Sequence, residues 1–567
     1  MLTIKDYVMR NIFKMLLFAV LLSGCYEDKG NYDYTLDSMN EITNVKFTPE
    51  IVETSVGKVI EVRQALTEND VDCRIVAHLE QTLEKNLDNL DFYWYRTYND
   101  NSGEAVKDTI CSKGFLDIEL PLGGTLEQDI LLRIYDRTTT LSHYSSFKFR
   151  TRPPFKNSLF VLHGEDGDRK LGNIEIIGKD TMIYTDVKTA TKDDNIYQYA
   201  SGFDYSAYDG NIALTLFGDN GATRIYEPFG MKVKFIAEEI FKPQTTDFQF
   251  KKMIRIGDPG TNTYSVALSE NGELLTGGSL PVLFKTGYDQ ELNGNTDHIT
   301  DYDITAATMT RDNYFFWDDK EKRFLYSATE NIVYEEEDAR DMNLKSTHPV
   351  LDANVDFSQF PEIKDMTAIY GYLNYQQGWE MEYKDFYFIF KDPSGSYYRC
   401  ELSTGAKNGV NDICTIKEVK AMNGFVPSDP SLIRYCSCFS TNYIFYASGN
   451  TVYRYNVSNY DHEEVYKAPD GYDVTMIKFR TDFFSPGAAN QVGDLNRIMS
   501  IGLYNNAEAN GAVAEIKFTT AADIDDDFTT LFYDKDNNGN KWGRIKDMQF
   551  AHEYQYEIAE YLKEENQ

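Results

Sequence analysis

Beyond about residue 154, short runs of aromatic and aliphatic residues alternate with polar turns along the chain. The turns use Asp, Asn, Gly and Ser, which tolerate tight reversals, and each leads into a second apolar run. This pattern predicts β-hairpins that start near residues 159, 213, 264, 314, 386, 443 and 499. Their spacing of about 50 to about 72 residues suits four-stranded blades with unequal loops. The sequence therefore predicts a seven-bladed β-propeller over residues 154–567.

A repeated tetrapeptide predicts how the ring closes. Ile363-Lys364-Asp365-Met366 precedes the fifth hairpin and is predicted to form the inner strand of that blade. The same letters return at Ile545-Lys546-Asp547-Met548, after the last hairpin. A C-terminal strand without a hairpin of its own would complete the first blade, whose hairpin starts near Leu159.

Residues 41–153 show a shorter alternating pattern that is typical of a β-sandwich. Strands with turn signals at this spacing suggest an immunoglobulin-like module, and Trp94 would pack between its two sheets. Pro153-Pro154 marks the boundary with the propeller. The strands are predicted around Val59–Val62, Phe92–Tyr95, Leu116–Leu120, Leu131–Asp136 and Ser145–Phe149. The fold class is therefore all-β, a sandwich followed by a propeller.

The first 24 residues have the layout of a lipoprotein signal peptide. Lys5, Arg10 and Lys14 give a basic start, and an apolar run of about eight residues follows, too short for the roughly 20 that span a bilayer. Leu22-Ser23-Gly24-Cys25 then resembles the lipobox, which predicts acylation (palmitate among the chains) of Cys25 and cleavage before it. The alternative is an N-terminal helix with a buried cysteine. Translation starts at Met1 or Met9.

Residues 25–40 would then tether the folded part to the lipid. Glu27 and Asp28 resemble the signal that sends some lipoproteins to the outer face of the outer membrane, although they also suit an ordinary tether. We therefore predict an outer-membrane protein that is anchored by lipid and displayed on the cell surface.

Composition excludes one class of partner. A net charge of −34 argues against a nucleic-acid-binding protein, which should carry a basic stripe. Six cysteines besides Cys25 permit disulfides, for example Cys73 with Cys111 or Cys400 with Cys414, but we expect mostly buried free thiols. Cys436 and Cys438 would point to opposite faces of one strand.

One candidate metal site lies near the C-terminus. Asp534, Asp536 and Asn538, followed by Gly539, fit the start of a calcium loop with oxygen ligands at alternate positions. The twelfth position is Ile545, where such a loop needs Glu. The alternative is a solvated polar turn, and Ca²⁺ is only a possible cofactor.

Residues 372–383 are the candidate ligand-binding segment. Tyr375, Trp379 and Tyr383 lie among amides and carboxylates in a long connection, a combination that suits a sugar or a peptide. Trp542 is a second candidate of the same kind. The alternative is that these aromatic side chains pack between blades.

Three segments resemble the PKD-like family of surface lipoproteins. They are the opening Cys25–Tyr34 with Asn40-Glu41-Ile42, the strand Leu132–Asp136, and the passage into Ser158–Leu162. The resemblance covers most of the predicted mature chain, and its opening motif is fairly specific. It implies association with Sus-type systems, in which a TonB-dependent transporter and its lipoprotein lid import glycans or peptides.

Two functions follow as expectations. The first is a non-catalytic glycan- or peptide-binding or docking accessory of such an uptake complex. The second is a surface glycoside hydrolase, lyase or peptidase with an acidic site in the propeller funnel. The chain has no Gly-x-Ser-x-Gly motif and no Gly-rich phosphate loop, which favours the first.

Overall fold

The computed structural model describes residues between 40 and 551. Cys25 and the predicted signal peptide therefore lie outside the described residues. Within that span the gaps are 55–56, 64–71, 85, 100–104, 122–125, 153–154, 156–157, 178–179, 188–199, 209–210, 219–220, 227–231, 237–240, 243–249, 257–263, 271–273, 278–282, 286–301, 310–312, 329–350, 374–384, 405–413, 437–438, 440–441 and 481–496.

The chain forms two compact units. The described residues of the first lie within 40–60, 74–118 and 128–148, and those of the second within 61–73, 119–127 and 149–551. In the described part of the chain, no helix has both the length and the apolar character needed to cross a bilayer.

The N-terminal strands form the two sheets of a sandwich. A three-stranded sheet has the order β1-β4-β7, and a six-stranded sheet has the order β2-β3-β9-β8-β5-β6. The five strands predicted from the alternating pattern are all present. The strands are β1 (Ile42–Thr48), β2 (Val52–Thr54), β3 (Gly57–Arg63), β4 (Asp72–Gln81), β5 (Leu90–Asn99), β6 (Ala105–Cys111), β7 (Phe115–Glu119), β8 (Glu127–Asp136) and β9 (Ser142–Arg152).

Trp94 lies at the centre of the sandwich core. Its side chain is fully buried, and its ring meets Phe47 of β1 and Phe147 of β9 edge-on at 6.1 and 6.5 Å between centroids. The indole Nε1 donates to the carbonyl of Lys113 at 2.8 Å, so burial leaves no polar atom of the ring unpaired. The prediction that Trp94 packs between the two sheets is confirmed.

A buried carboxylate holds the start of the described chain against the sandwich. Asp136, at the end of β8, accepts hydrogen bonds from the side chains of Asn40, Asn89 and Thr139 and from the Thr138 amide, at 2.8–3.0 Å. Burial alone would raise the pKa of Asp136, but these hydrogen bonds outweigh it and lower the pKa to about 2. The side-chain oxygen of Asn40 also accepts hydrogen bonds from the amides of Leu83 and Glu84, in the loop after β4.

The described part of the second unit contains seven sheets of four or five strands, which are the seven predicted blades. Each predicted hairpin is present, formed by the second and third strands of its blade. The strands of blades 1 to 3 are β10 (Ser158–His163), β11 (Lys170–Ile177), β12 (Asp180–Tyr184), β13 (Ala200–Tyr208), β14 (Asn211–Gly218), β15 (Gly221–Tyr226), β16 (Lys232–Ile236), β17 (Phe241–Lys242), β18 (Phe250–Ile256), β19 (Tyr264–Ser269), β20 (Leu274–Gly277) and β21 (Leu283–Lys285).

Blades 4 to 7 repeat the same meander. Their strands are β22 (Ile304–Met309), β23 (Asn313–Asp318), β24 (Arg323–Ala328), β25 (Leu351–Asp352), β26 (Thr367–Leu373), β27 (Asp385–Lys391), β28 (Tyr397–Thr404), β29 (Cys414–Ala421), β30 (Ile433–Tyr435), β31 (Tyr443–Ser448), β32 (Thr451–Asn456), β33 (His462–Lys467), β34 (Tyr472–Phe479), β35 (Ile498–Asn505), β36 (Asn510–Lys517) and β37 (Leu531–Tyr533). Two 3₁₀ turns, Pro361–Asp365 and Pro430–Leu432, precede the first strands of blades 5 and 6.

The last strand closes the ring, as the repeated tetrapeptide predicted. β38 (Ile545–Ala551) pairs antiparallel with β10, with Val161 opposite Met548, and it becomes the inner strand of blade 1 in the order β12-β11-β10-β38. The other copy of the tetrapeptide was predicted wrongly. Residues 363–366 are not the inner strand of blade 5, because Pro361 starts a 3₁₀ turn there and the strand begins only at Thr367.

His163, at the end of β10, fastens this closure. The amide of Gly543 donates to its Nδ1 at 2.8 Å, so Nε2 carries the hydrogen that is donated to the Thr185 carbonyl at 2.5 Å. Burial lowers the pKa of His163 to about 4, which keeps the ring neutral and both bonds intact at neutral pH.

The third strands of blades 7 and 1 each carry a buried glutamate that is paired with an arginine from another part of the chain. Arg480, just after β34, binds both carboxylate oxygens of Glu515 at 2.8 and 2.5 Å, and Ser500 donates to the same group at 2.9 Å. Arg152, at the end of β9, contacts Glu175 of blade 1 at 2.9 Å. The Arg480 guanidinium lies 4.6 Å from the ring of Phe550 in β38.

We expect deletion of everything after Trp542 to abolish cooperative folding. The deletion removes β38, which leaves β10 with an unpaired edge and exposes the apolar side chains that Met548 and Phe550 bury. The measurement is thermal unfolding and limited proteolysis. A chain ending at Ala551 is the control and should behave like the parent, whereas a cooperative transition near the parent temperature in the shorter chain would contradict closure by β38.

Candidate functional site

The predicted ligand-binding segment is the connection between the first two strands of blade 5. β26 ends at Leu373 and β27 begins at Asp385. Tyr375, Trp379 and Tyr383 lie between them, in residues 374–384, and are therefore outside the described residues. Their role as ligand-binding residues stays a prediction, and the described structure defines only the base from which the connection starts.

That base is a stack of tyrosine rings shared by blades 5 and 6. Tyr372 of β26 lies opposite Tyr387 of β27 in the ladder, and the two rings are stacked at 5.0 Å with an interplanar angle of 14°. Tyr435 of β30 packs on the other side at 4.5 Å, and its amide donates to the hydroxyl of Tyr370 at 2.9 Å. Aromatic pairs of this kind contribute about 0.5–1.5 kcal/mol each beyond their buried area. The stack therefore fixes where the connection leaves the blade.

Tyr372 has a buried hydroxyl whose proton has no acceptor among the described residues. The side chain is 6% exposed. Burial raises the pKa of Tyr372, while the charge of Arg399 and its hydrogen bond to the hydroxyl oxygen act in the opposite direction, so the hydroxyl stays protonated and available as a donor. Leaving a buried polar group unpaired costs about 1–3 kcal/mol.

The other end of the connection is fixed by charge and packing. Lys417 of β29 contacts the Asp385 carboxylate at 2.6 Å, and the next residue, Phe386, is fully buried with its ring 4.1 Å from Phe315 of blade 4. Both ends of residues 374–384 thus start from positions that the blade holds rigidly.

Trp542 does not present its ring to a ligand, so that prediction is wrong. The side chain is 1% exposed and packs edge-on against His163 at 5.0 Å in the core of blade 1. A Cβ on Gly172 would lie 2.3 Å from the ring, so the indole fills the space that this glycine leaves. The alternative, that the aromatic side chain packs between blades, is correct for Trp542, because its cluster includes residues of blades 1 and 7.

The candidate calcium residues form a polar turn. Asp536 is buried, and each of its carboxylate oxygens accepts two hydrogen bonds: Oδ1 from the amides of Asn538 and Asn540, and Oδ2 from the side chains of Asn540 and Thr185, at 2.8–2.9 Å. Burial acts to raise the pKa of Asp536, but these bonds lower it overall. Asp534 takes no part in them. This geometry assigns Asp536 to holding the turn against blade 1, and calcium binding gains no support from it.

The cysteines that the structure describes form no disulfide, as expected. Cys73, Cys400, Cys414 and Cys436 are buried and Cys111 is half-buried, while Cys438 lies outside the described residues. Cys414 lies opposite Thr404 in the ladder and not opposite Cys400, so the two do not bridge their hairpin. Burial raises the pKa of both Cys400 and Cys414, which makes these thiols poor nucleophiles.

The described part of the chain contains no group of three or more His, Cys, Asp and Glu side chains placed to hold a metal ion. Its buried carboxylates include Glu175 and Glu515, and each of the two is paired with an arginine. Burial nevertheless raises the pKa of Glu175.

The N-terminal part of the chain has a family match. Residues 25–205 match the profile of the PKD-like family, a range that covers the sandwich strands, β10 to β12 of blade 1 and the start of β13. The match begins at Cys25. No curated protein matches the chain significantly.

Solved structures similar to the chain include β-propellers. A quinonprotein alcohol dehydrogenase-like protein from Bacteroides thetaiotaomicron is 11% identical, with a TM-score of 0.39 over 87% of this chain and 96% of that one. The extracellular domain of a putative one-component system from the same organism is 11% identical, with a TM-score of 0.30 over 62% and 37%. The Cps50 (Swd1) β-propeller domain from Myceliophteria thermophila is 8% identical, with a TM-score of 0.33 over 62% and 90%.

We expect Asp536→Ala to destabilise the protein by about 1–3 kcal/mol, because the Thr185 hydroxyl and two backbone amides lose their acceptor. Asp534→Ala is the matched control and should change stability by less than about 0.5 kcal/mol. Thermal unfolding with EDTA and with added Ca²⁺ should give the same midpoint for the parent. A rise in the midpoint with Ca²⁺ that Asp534→Ala removes would show that these residues bind the ion.

Proposed function

We propose that the protein is a lipid-anchored, surface-exposed binding component of a nutrient-uptake complex in the outer membrane. It binds a glycan or peptide without cleaving it and acts beside a TonB-dependent transporter and its lipoprotein lid. The tyrosine stack at the base of residues 374–384 carries this proposal, because it supports a long aromatic connection at two rigid points.

The N-terminal sequence supports the proposed location. Leu22-Ser23-Gly24-Cys25 follows a short apolar run, and the match to the PKD-like family starts at Cys25, where cleavage of a lipoprotein signal would leave the mature N-terminus. Two or more acyl chains hold a protein stably at a membrane, at about 0.8 kcal/mol for each buried CH₂. The net charge of −34 would not bring the protein to an anionic surface without them.

The blade 5 base supports binding without catalysis. Aromatic rings held between fixed strand ends lose little conformational freedom when a ligand stacks on them, which is the role proposed for Trp379 and Tyr375. The buried hydroxyl of Tyr372, at the end of β26, is a hydrogen-bond donor close to where the connection starts. A ring stack and a few hydrogen bonds recognise a sugar or a peptide, whereas cleavage needs an acid and a base on either side of one bond.

We expect metabolic labelling with a clickable fatty acid to mark the wild-type protein and not Cys25→Ala. The reason is that the Cys25 sulfur is the acceptor of diacylglycerol in the predicted lipobox. The readout is in-gel fluorescence of the purified protein, with Cys73→Ala as a control that should label normally. Equal labelling of the wild type and Cys25→Ala would show that this cysteine is not the anchor.

We expect the purified mature protein to bind glycans or peptides with dissociation constants nearer millimolar than nanomolar and to release no product. A single exposed aromatic platform contributes about 1 kcal/mol, which supports only weak affinity. Binding and product formation are followed together on cell-wall, plant and host glycans and on protein digests. Trp379→Ala should weaken binding several-fold, and Trp542→Phe, deep in the core, is the control that should not.

Two results would change this picture in different ways. Turnover that survives repurification and disappears when one acidic residue is replaced would make the protein a surface hydrolase or lyase. Unchanged binding in Trp379→Ala would leave the binding function in place and move its site away from residues 374–384.

A further inference from the structure

Three exposed leucines lie at one end of the sandwich. Leu83 and Leu87 are in the connection from β4 to β5, and Leu141 is in the turn from β8 to β9. They are 53%, 46% and 49% exposed, and they alone are exposed among the leucines whose side chains the structure describes. Single exposed apolar side chains are ordinary, but several at one place mark an interaction surface. We call these three residues the leucine tip.

Hydrogen bonds hold the two connections of the leucine tip side by side. The amide of Arg137, in the turn, donates to the carbonyl of Asn89 at 2.9 Å. The guanidinium of the same arginine donates to the carbonyl of Asp88, the residue after Leu87. Leu141 ends this turn. The two connections are therefore fixed to each other, and their leucines belong to one end of the sandwich.

The described chain begins at this same end. The side-chain oxygen of Asn40 accepts a hydrogen bond from the amide of Leu83 at 3.2 Å. Its side-chain nitrogen donates to the carboxylate of Asp136, at 3.0 Å, and Asp136 directly precedes the turn that carries Leu141. Asn40 is thus bonded to both connections, so the chain leading to Cys25 leaves the sandwich beside the leucine tip.

The proposed anchor would bring a lipid surface to this end of the sandwich. Cys25 precedes Asn40 by 15 residues, and a chain of that length spans at most about 50 Å when fully extended. The strands β5 and β8 have ten residues each, so the opposite end of the sandwich lies roughly 34 Å farther from Asn40. The leucine tip can therefore lie against the bilayer without extending the connection to the lipid.

The charges around the leucine tip indicate which force would hold it on lipid. Glu84 and Asp88 are exposed acids among the described residues of the two connections, and Arg137 is an exposed base. The Arg137 guanidinium also lies 3.6 Å from the carboxylate of Asp91. These residues do not make a basic patch, so attraction to anionic headgroups is not the driving force. Burial of apolar area remains, and it acts equally on zwitterionic lipids.

We propose that the leucine tip inserts into the boundary between headgroups and acyl chains of the membrane that carries the anchor. This inference rests on the proposed function, because the anchor at Cys25 is what keeps this end beside the lipid. The acyl chains hold the protein at the surface, and the leucines determine which end of the sandwich faces it. A protein partner that covered the leucines would instead keep them out of the bilayer.

The test uses the mature, acylated full-length protein in phosphatidylcholine vesicles that contain brominated lipid, which quenches an indole that reaches the acyl region. Leu141→Trp should float with the vesicles and lose at least half of its added fluorescence, after subtraction of the parent signal. Leu83→Gln/Leu87→Gln in the same background should reduce the quenching at least twofold and melt at the same temperature, because both side chains are exposed. Phosphatidylglycerol should not increase the quenching, because the tip is not basic.

The matched control is Val426→Trp, since Val426 is 58% exposed and is not part of the leucine tip. It should float equally and show no quenching of its added fluorescence. Equal quenching of the two indoles overturns the proposal. So does quenching of Leu141→Trp that survives Leu83→Gln/Leu87→Gln, or that appears only with phosphatidylglycerol.

Flotation and quenching separate this proposal from the function on which it rests. Protein that floats while Leu141→Trp is not quenched keeps the anchor and overturns insertion of the leucine tip. Cys25→Ala should neither float nor be quenched. A wild type that does not float overturns both the anchor and the insertion, because nothing then holds this end of the sandwich at the membrane.

Discussion

The pairing of β38 with β10 is the constraint on which the propeller depends. It joins parts of the chain that are far apart, as the hydrogen bond between Gly543 and His163 shows with a separation of 380 residues. Loop closure over such a distance is costly in entropy and slow, so several contacts have to stabilise the β10–β38 pairing together. These contacts are the strand ladder, the hydrogen bonds of the neutral His163 and the packing of the buried Trp542.

A buried ion pair lies beside the β10–β38 pairing and favours one register of β38. The Arg480–Glu515 pair of blade 7 contacts Phe550 of the closing strand, so a register slip of β38 would change the surroundings of a desolvated ion pair. Breaking such a pair costs about 3–5 kcal/mol, although forming it gains little over apolar packing. We infer that its value lies in penalising wrong pairings of β38.

The blade hairpins could be predicted because each is a local pattern of two apolar runs and a polar turn. The closing strand was predictable from the repeat at Ile545–Met548, but the same letters at Ile363–Met366 form a 3₁₀ turn. Pro361 and the neighbouring chain decide that difference, which tetrapeptide identity does not encode. The prediction for Trp542 was wrong for a related reason. A tryptophan in a polar loop is expected to be exposed, and only the folded chain shows that its ring fills the space beside Gly172.

The proposed lipid anchor would favour a weak binding site, since confinement at a membrane raises the effective concentration of the site beside any partner held there. Weak contacts also release a ligand quickly, which the proposed transfer of a ligand to a transporter would require. Modest affinity is therefore the physical consequence of the proposed role and not evidence against it.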